Sequence, residues 1–380
     1  MNHKEHTLAI FTLVEHKKVN GKLYGYAPYI SEMNIWTSHF KKVLVVGNYS
    51  DSEQLAKIDI SYDHPDIDLV MLPKFNIKTP LSILRLCFNL PTIIYRISRA
   101  MMQSDYLHLR CPSNVSAIAA VIQIFFPKKP KSTKYAGNWN PTSKQPLGYR
   151  FQKWILSNTV LTKRMKLLVY GEWPNQSPNV SPFLSATYYD CEKVPFKTRD
   201  FNNKIKFVFI GAMVIGKRPM LAIEIILKLR ERGYQAELHM FGDGDLMTKV
   251  LNKVKDHNMD SFVFIHGNQN KAKVKECLVD AHFTILPSKS EGWPKAIAEG
   301  MFFGAIPIST RISCLPWILD NGKRGILIDS DAESAITKID NEIAKGTDYL
   351  NNMAEKALLW SQNYTIDRLE NEIQKILEDA

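Results

Sequence analysis

Glu291 and Glu299 stand eight positions apart around a Gly292-Trp293-Pro294 turn, in the stretch SEGWPKAIAEGMFFGAIP from Ser290 to Pro307. The run HFTIL before it reads as a strand and the run after Pro294 as a helix, which puts Glu291 in the turn and Glu299 about one and a half turns inside the helix. So spaced, the two cannot close on one metal ion. They can accept hydrogen bonds from two parts of one extended ligand, and a carboxylate accepting paired bonds suits a vicinal diol. Pro294 marks the first helical position, so the amides of Trp293 to Ala296 are expected to point out of a helix N-terminus, where the dipole favours phosphate. Two glutamates at this spacing arise by chance in many chains. The surrounding elements have to support the reading.

Two other corners carry glycine or charge. Lys217 and Arg218 precede a helix that Pro219 opens, and cations there can neutralise a diphosphate, although a Lys-Arg pair in a loop is more often only solvated. Gly242-Asp243-Gly244 is a weaker signal, because glycines end many strands.

The elements that must hold these corners read as alternating strands and helices. TLAIFTLV, KVLVVG, DLVML, DYLHL and MKLLVYG are strands of the first half, with helical periodicity over Leu81 to Met102 and Asn114 to Phe126. Prolines and small polar residues between Gly171 and Asn203 mark a boundary near position 195. Beyond it come IKFVFIG, a helix from Pro219 to Gly233, AELHMFG, FVFIHG, HFTIL, AIPIST and RGILID, then helices over Ala332 to Ala344, Tyr349 to Gln362 and Ile366 to Leu377. Near-continuous apolar strands alternating with helices predict parallel sheets covered on both faces, here two Rossmann-like domains in tandem. At 380 residues, 45% hydrophobic and 23% charged, the chain exceeds what one core usually supports and is not disordered in composition.

Charge is unevenly divided. Residues 1–190 hold 23 Lys+Arg against 12 Asp+Glu, a net +11, while the remainder is neutral at 26 against 26. Either those basic side chains merely solvate a surface, or the first half meets an anionic partner, with Arg85, Arg96, Arg99 and the run PKKPKSTK from Pro127 to Lys134 as its candidate contacts. No RNA- or DNA-binding motif accompanies them, so nucleic acid is not expected. The five cysteines show no paired or zinc-ligand spacing, which suits a reducing compartment, and no segment supplies the apolar length of a spanning helix.

The ordered set IGAMVIGKRPMLAIEIILKL, HMFGDGDL, FIHG, ILPSKSEGWPKAIAEGMFFGAIPIST and RGILI, covering about residues 205–330, resembles the donor-binding domain of retaining glycosyltransferases of family 4. HLRCPSN and KYAGNWNP are similar, more weakly, to segments of bacterial surface-polysaccharide transferases of that family. The resemblance implies an α/β GT-B fold, two Rossmann-like domains facing across a cleft. It implies an acceptor domain over 1–190, a nucleotide-sugar domain over 200–362 and a C-terminal helix over 363–380 that returns to the first domain. It implies Glu291 near the transferred sugar, Glu299 on the ribose, Lys217 at the diphosphate as catalytic cation, and Gly211, Arg218, Gly242, Gly292, Trp293, Pro294 and Lys295 around the donor. Asn138, Trp139, His108 and Arg110 become acceptor-side candidates, with His108 and Arg110 facing the cleft. No cofactor or metal is implied. The expected partners are a nucleotide diphosphate sugar, a lipid-linked or polysaccharide acceptor in lipopolysaccharide, capsule or exopolysaccharide synthesis, and the cytoplasmic face of an anionic membrane. This chain departs from the family at Ala212, where an arginine is usual, and at TKYAGNWN, where a histidine is usual. Those departures keep a noncatalytic nucleotide-sugar-binding protein of the same fold as the alternative.

Overall fold

The computed structural model describes residues 3–379 except 53, 57 and 76–78. They form two compact units, one of residues 1–183 with 370–380, the other of residues 184–369. In the first, the elements are β1 (Thr7–Val19), β2 (Lys22–Tyr26), α1 (Ala27–Thr37), β3 (Lys42–Tyr49), β4 (Asp59–Ser61), β5 (Ile67–Met71), α2 (Pro80–Gln103), β6 (Tyr106–Cys111), α3 (Asn114–Ile122), β7 (Lys131–Tyr135), α4 (Leu147–Ser157), β8 (Met165–Val169) and β9 (Val180–Pro182). Parallel pairing runs β5-β3-β1-β6-β7-β8-β9. The winding direction therefore reverses between β1 and β6.

Strand alternation divides the sheet's two faces. Ala9, Phe11, Leu44, Val46, Leu107 and Leu109 meet α2, α3 and α4 in one buried cluster. The opposite face carries His108, Ser132 and Lys134 beneath α1.

Two local expectations differ from what forms here. The first strand continues past Val14 to Val19, because a register shift between Phe11 and Glu15 turns its polar end out of the parallel ladder. That end pairs with β2 across an Asn20-Gly21 turn, both residues at positive φ as a tight hairpin requires, and β2 pairs with β4. The basic run Pro127 to Lys134, expected at a membrane surface, instead leads into β7, in which every residue is buried. Carbonyls of Lys129 and Lys163 cap the Lys131 ammonium at 3.0 and 2.9 Å. Burial, reinforced by Arg164, lowers the Lys131 pKa to about 8. Lys134 pairs with Glu32 at 2.8 Å. Lysine stems can line a sheet when each charge finds an oxygen, so polarity alone hid this strand.

The second unit holds β10 (Ile205–Ile210), α5 (Pro219–Glu231), β11 (Ala236–Phe241), α6 (Met247–Asp256), β12 (Val263–Gly267), α7 (Lys271–Val279), β13 (Phe283–Leu286), α8 (Lys295–Phe302), β14 (Ile306–Thr310), α9 (Leu315–Ile318), β15 (Ile326–Ile328), α10 (Ala332–Ile343) and α11 (Thr347–Ser361). Helix α12 (Ile366–Glu378) begins here and ends among the residues of the first unit. The sheet is parallel in the order β12-β11-β10-β13-β14-β15, and its winding reverses between β10 and β13. Loops leaving the carboxyl ends of those two strands therefore border the crevice where such sheets take ligands.

Helix α8 sits close against β13 because Gly300 lacks a side chain. A Cβ there would stand 1.8 Å from the Thr284 hydroxyl oxygen and 2.7 Å from its Cβ. The turn Asp190–Glu192 is tied to α7 by Lys271 and Lys275, whose ammonium groups lie 3.0 and 2.9 Å from the Glu192 carboxylate. Burial pushes that carboxyl up, but hydrogen bonds from Lys275, Lys271 and the Tyr189 amide outweigh it and hold the pKa down to about 2.

Two outcomes are expected from these contacts. Gly300→Ala should cost about 1–3 kcal/mol by overpacking, read as a lower midpoint in urea unfolding at unchanged slope. Because the folded Glu192 pKa lies below its unfolded value, its stabilisation is complete above about pH 4.3 and fades as pH falls toward 2. The stability difference between the native protein and Glu192→Gln should therefore be largest at neutral pH and close on acidification, as followed by thermal melts across pH.

Candidate functional site

The crevice is built from backbone outward. At the end of β10, the Gly211 amide donates to Phe241 O at 2.9 Å, and the Gly242 amide donates to Gly267 O at 2.9 Å. Gly242 holds φ at 126°, and a Cβ on it would lie 2.1 Å from Gly211 O, so only glycine lets these two strand ends approach. The loop after β10 is anchored by the buried Met213, whose amide reaches Asp243 O at 3.0 Å and whose carbonyl accepts from Leu246 at 2.7 Å. It ends at Arg218, which caps α5 in the left-handed region at φ 55°, with Pro219 as the first helical residue. The Lys289 amide, in the loop after β13, donates to Gly216 O at 2.8 Å, so the two loops are joined by backbone as well as by side chains.

Across that junction Lys217 Nζ meets both carboxylate oxygens of Glu291, at 2.6 and 2.7 Å. The Glu291 side chain is 6% exposed and that of Lys217 is 29%, so the carboxylate is taken from water while the ammonium keeps access to it. The Glu291 turn is also held from behind by the last residue of β14 and the turn after it. Thr310 donates its hydroxyl to Ser288 O, Ser313 to Glu291 O at 2.5 Å, and the Cys314 thiol to Gly292 O at 3.2 Å. Burial pushes the Cys314 thiol pKa up to about 12, so it remains a protonated donor. Glu299, inside α8, accepts the Thr187 hydroxyl at 2.8 Å. The crevice thus presents two fixed carboxylates, a solvent-reachable ammonium, and an arginine, Arg218, whose Nη1 is buried with no hydrogen-bond partner among the described residues. A buried guanidinium nitrogen left unsatisfied is costly unless a ligand oxygen completes it.

Several expected residues have other surroundings. Pro294 caps α8 instead of opening it, and the Lys295 amide donates back to Trp293 O at 2.9 Å, so that amide is not presented outward. Trp293 is buried at 7% exposure, its ring centroid 5.5 Å from Tyr364 and 6.3 Å from Trp360, so it clamps the turn onto an aromatic cluster.

In the first unit, His108 does not reach a strand end facing outward. It is fully buried, with Nδ1 2.8 Å from the Ser132 hydroxyl and its ring 4.4 Å from Trp36. Burial, with Arg110 adding to it, lowers its pKa to about 3 and keeps the ring neutral. Arg110 donates to Glu32 at 2.7 Å and lies 5.5 Å from the Tyr29 ring. Trp139 is 4% exposed, its indole N–H donating to Gln176 at 2.8 Å, so its ring fills core and cannot stack on a sugar. The Asn138 side chain accepts the Asn140 amide at 2.9 Å and shapes a turn.

Sequence reasoning did not single out Thr187, Thr310 or Glu32, and it left open the contacts of the turn Arg311 to Cys314, where the family often has a small, glycine-rich turn. The small polar residues after AIPIST carry no spacing signal, and Thr187 lies more than a hundred residues from its partner Glu299.

Residues 190–360 match the family model described as Glycosyl transferases group 1. Among curated proteins, an uncharacterized glycosyltransferase of Methanocaldococcus jannaschii is 23% identical over 172 residues, 45% of this chain and 47% of that protein. The amylovoran biosynthesis glycosyltransferase of Erwinia amylovora is 25% identical over 162 residues, 41% of this chain and 40% of that one. The alignments thus span less than half the length of these relatives. Among solved structures, Anabaena HepE in complex with UDP and glucose superposes with a TM-score of 0.68 at 11% identity, covering 99% of this chain and 100% of that one. Sucrose-phosphate synthase from Thermosynechococcus elongatus gives 0.67 at 12% identity, covering 99% of each. The fold is GT-B.

Removing Lys217 alone should leave the Glu291 carboxylate buried without its counterion. Lys217→Met is therefore expected to destabilise more than Lys217→Met with Glu291→Gln, with a coupling of about 1–2 kcal/mol given the partial exposure of the lysine. Urea unfolding of the native protein, both single variants and the double variant measures it.

Proposed function

We propose that this protein is a retaining, family 4 type glycosyltransferase that moves a hexose-type sugar from a nucleotide diphosphate sugar to a hydroxyl of a glycan or lipid-linked saccharide in bacterial cell-surface polysaccharide synthesis. The observation that carries the reading is the Lys217–Glu291 pair at the point where the second sheet reverses its winding, with Glu299 held by Thr187 on the helix that follows. The diphosphate lies against Lys217 and Arg218, the ribose hydroxyls against Glu299, and the transferred sugar beside Glu291. Lys217 then shares its charge between Glu291 and the phosphates, and in the transition state, as the C1–O bond to the diphosphate breaks, it stabilises the oxygen on which negative charge grows. The acceptor hydroxyl forms the new bond to C1 and passes its proton to the departing phosphate oxygen. Lys217, Arg218 and helix N-termini supply the neutralising charge, so the reaction as proposed uses no metal.

UDP-sugars are the first donors to test, since HepE is a structure of this fold in complex with UDP and glucose. Activity at the cytoplasmic face of an anionic membrane accords with the net +11 of residues 1–190. Ala212 favours the noncatalytic alternative, because the loop after β10 has one cation fewer there than the family pattern it resembles.

A panel of UDP-, GDP- and ADP-sugars should raise the melting temperature for one nucleotide class, since a ligand bound only by the native state stabilises it. Lys217→Ala is expected to lower kcat by about 10²–10³, while Glu299→Ala should act mainly through KM. A donor that binds but is not turned over with any membrane glycolipid extract would favour the noncatalytic reading.

A further inference from the structure

Between Leu69 and Gly171 the chain contains 16 Lys+Arg and one acidic residue, Asp105. The same segment concentrates exposed apolar surface. Of 24 large hydrophobic side chains exposed among the described residues, 12 lie between Leu84 and Val160. These two excesses meet on one layer. Helices α2, α3 and α4 pack side by side on one face of the first unit's sheet, each giving its inner residues to the same buried cluster.

Their outer sides are organised. On α2, Leu84, Phe88, Tyr95 and Met102 are exposed and project within about 40° of one another around the axis, opposite the buried Ile93 and Ile97. Phe88 is 78% exposed. On α4, Leu147, Phe151 and Trp154 recur at helical spacing and are exposed, Leu147 at 78% and Trp154 at 56%. Phe125, just after α3, is 79% exposed. Exposed basic residues accompany the stripes, with Arg85 and Arg99 on α2, Lys128 after α3, Lys144 before α4 and Arg150 in its first turn. Among the described residues no helix is long and apolar enough to cross a membrane.

We propose that the outer surface of α2, α3 and α4 docks on an anionic lipid bilayer, the helices lying in its interface with Phe88, Phe125, Leu147 and Trp154 entering the acyl boundary and the cations meeting headgroup phosphates. The proposal rests on the transferase reading above with its lipid-linked acceptor, one of the two acceptor classes named there, and it names the surface that brings the protein to the membrane. Charge selects the occupant. A second copy would place cations against cations across the contact, and a nucleic acid backbone offers the aromatic stripes no apolar phase, whereas an anionic bilayer satisfies both. The basic strand β7, whose lysines are buried, takes no part.

Co-sedimentation with vesicles of phosphatidylglycerol and phosphatidylcholine, against phosphatidylcholine alone, tests this. Binding should require the anionic lipid, weaken with salt, and fall about tenfold or more in Phe88→Ser with Trp154→Ser and in Arg85→Gln with Arg150→Gln. All these side chains are exposed, and circular dichroism together with the donor-induced thermal shift should be unchanged in the variants. Equal binding of the variants, equal binding to neutral vesicles, or a native dimer that the Phe88 and Trp154 changes dissociate would each overturn it. The donor shift is read without vesicles, so failure of docking and failure of the transferase reading are separate results.

Discussion

The reversal of winding between β10 and β13 is the constraint on which the site depends. Two parallel strands whose following helices depart to opposite faces leave their carboxyl-end loops apart, and a crevice opens between them. In this protein the crevice is closed at its base by backbone and charge. Gly242 lets strand ends touch, Lys289 donates across to Gly216, and Lys217 reaches both oxygens of Glu291. A carboxylate only 6% exposed needs a counterion, and the ammonium that supplies it remains reachable from solvent. The crevice thus already holds the charge that a diphosphate would use.

The first unit meets a comparable problem differently. Its carboxyl ends carry Arg110 and Lys134 beneath α1, and a single carboxylate, Glu32, bonds to both at 2.7 and 2.8 Å. Tyr29 lies 5.5 Å from the Arg110 guanidinium, and Tyr170 and Phe183 lie 5.2 and 5.1 Å from the Lys134 ammonium. Aromatic faces and one shared anion replace the second counterion that two buried cations would otherwise need. The outer helices show the reverse arrangement, with cations and apolar side chains both left facing outward.

Much of this was legible in residue order. Apolar runs of strand length, Pro219 opening a helix, Gly233 ending it, and the Glu291-to-Glu299 spacing placed the second unit's elements and the three loops of its crevice. The misreadings share one cause. The buried lysines of β7, the core position of His108 and the packing of Trp139 depend on what their folded surroundings supply, namely the carbonyls of Lys129 and Lys163, the Ser132 hydroxyl on the neighbouring strand, and Gln176. A polar side chain is placed by its partner, and, the Lys129 carbonyl apart, those partners lie at least 24 residues away along the chain.

By itself, then, the sequence determined the apolar strands and the periodic helices between them, that two wound sheets form, and that Glu291 and Lys217 stand on loops at strand ends with Glu299 on the helix that follows. These follow from local periodicity, proline and glycine stereochemistry, and chain direction. Only the tertiary structure decided which charges pair and which stay open. Lys134 is spent on Glu32, Lys217 is shared with Glu291 yet stays partly open to solvent, Arg218 retains a nitrogen unmet among the described residues, and the basic helices face outward. The physical reason is that pairing acts over a few ångströms in space, between residues whose separation along the chain says nothing of their distance once folded.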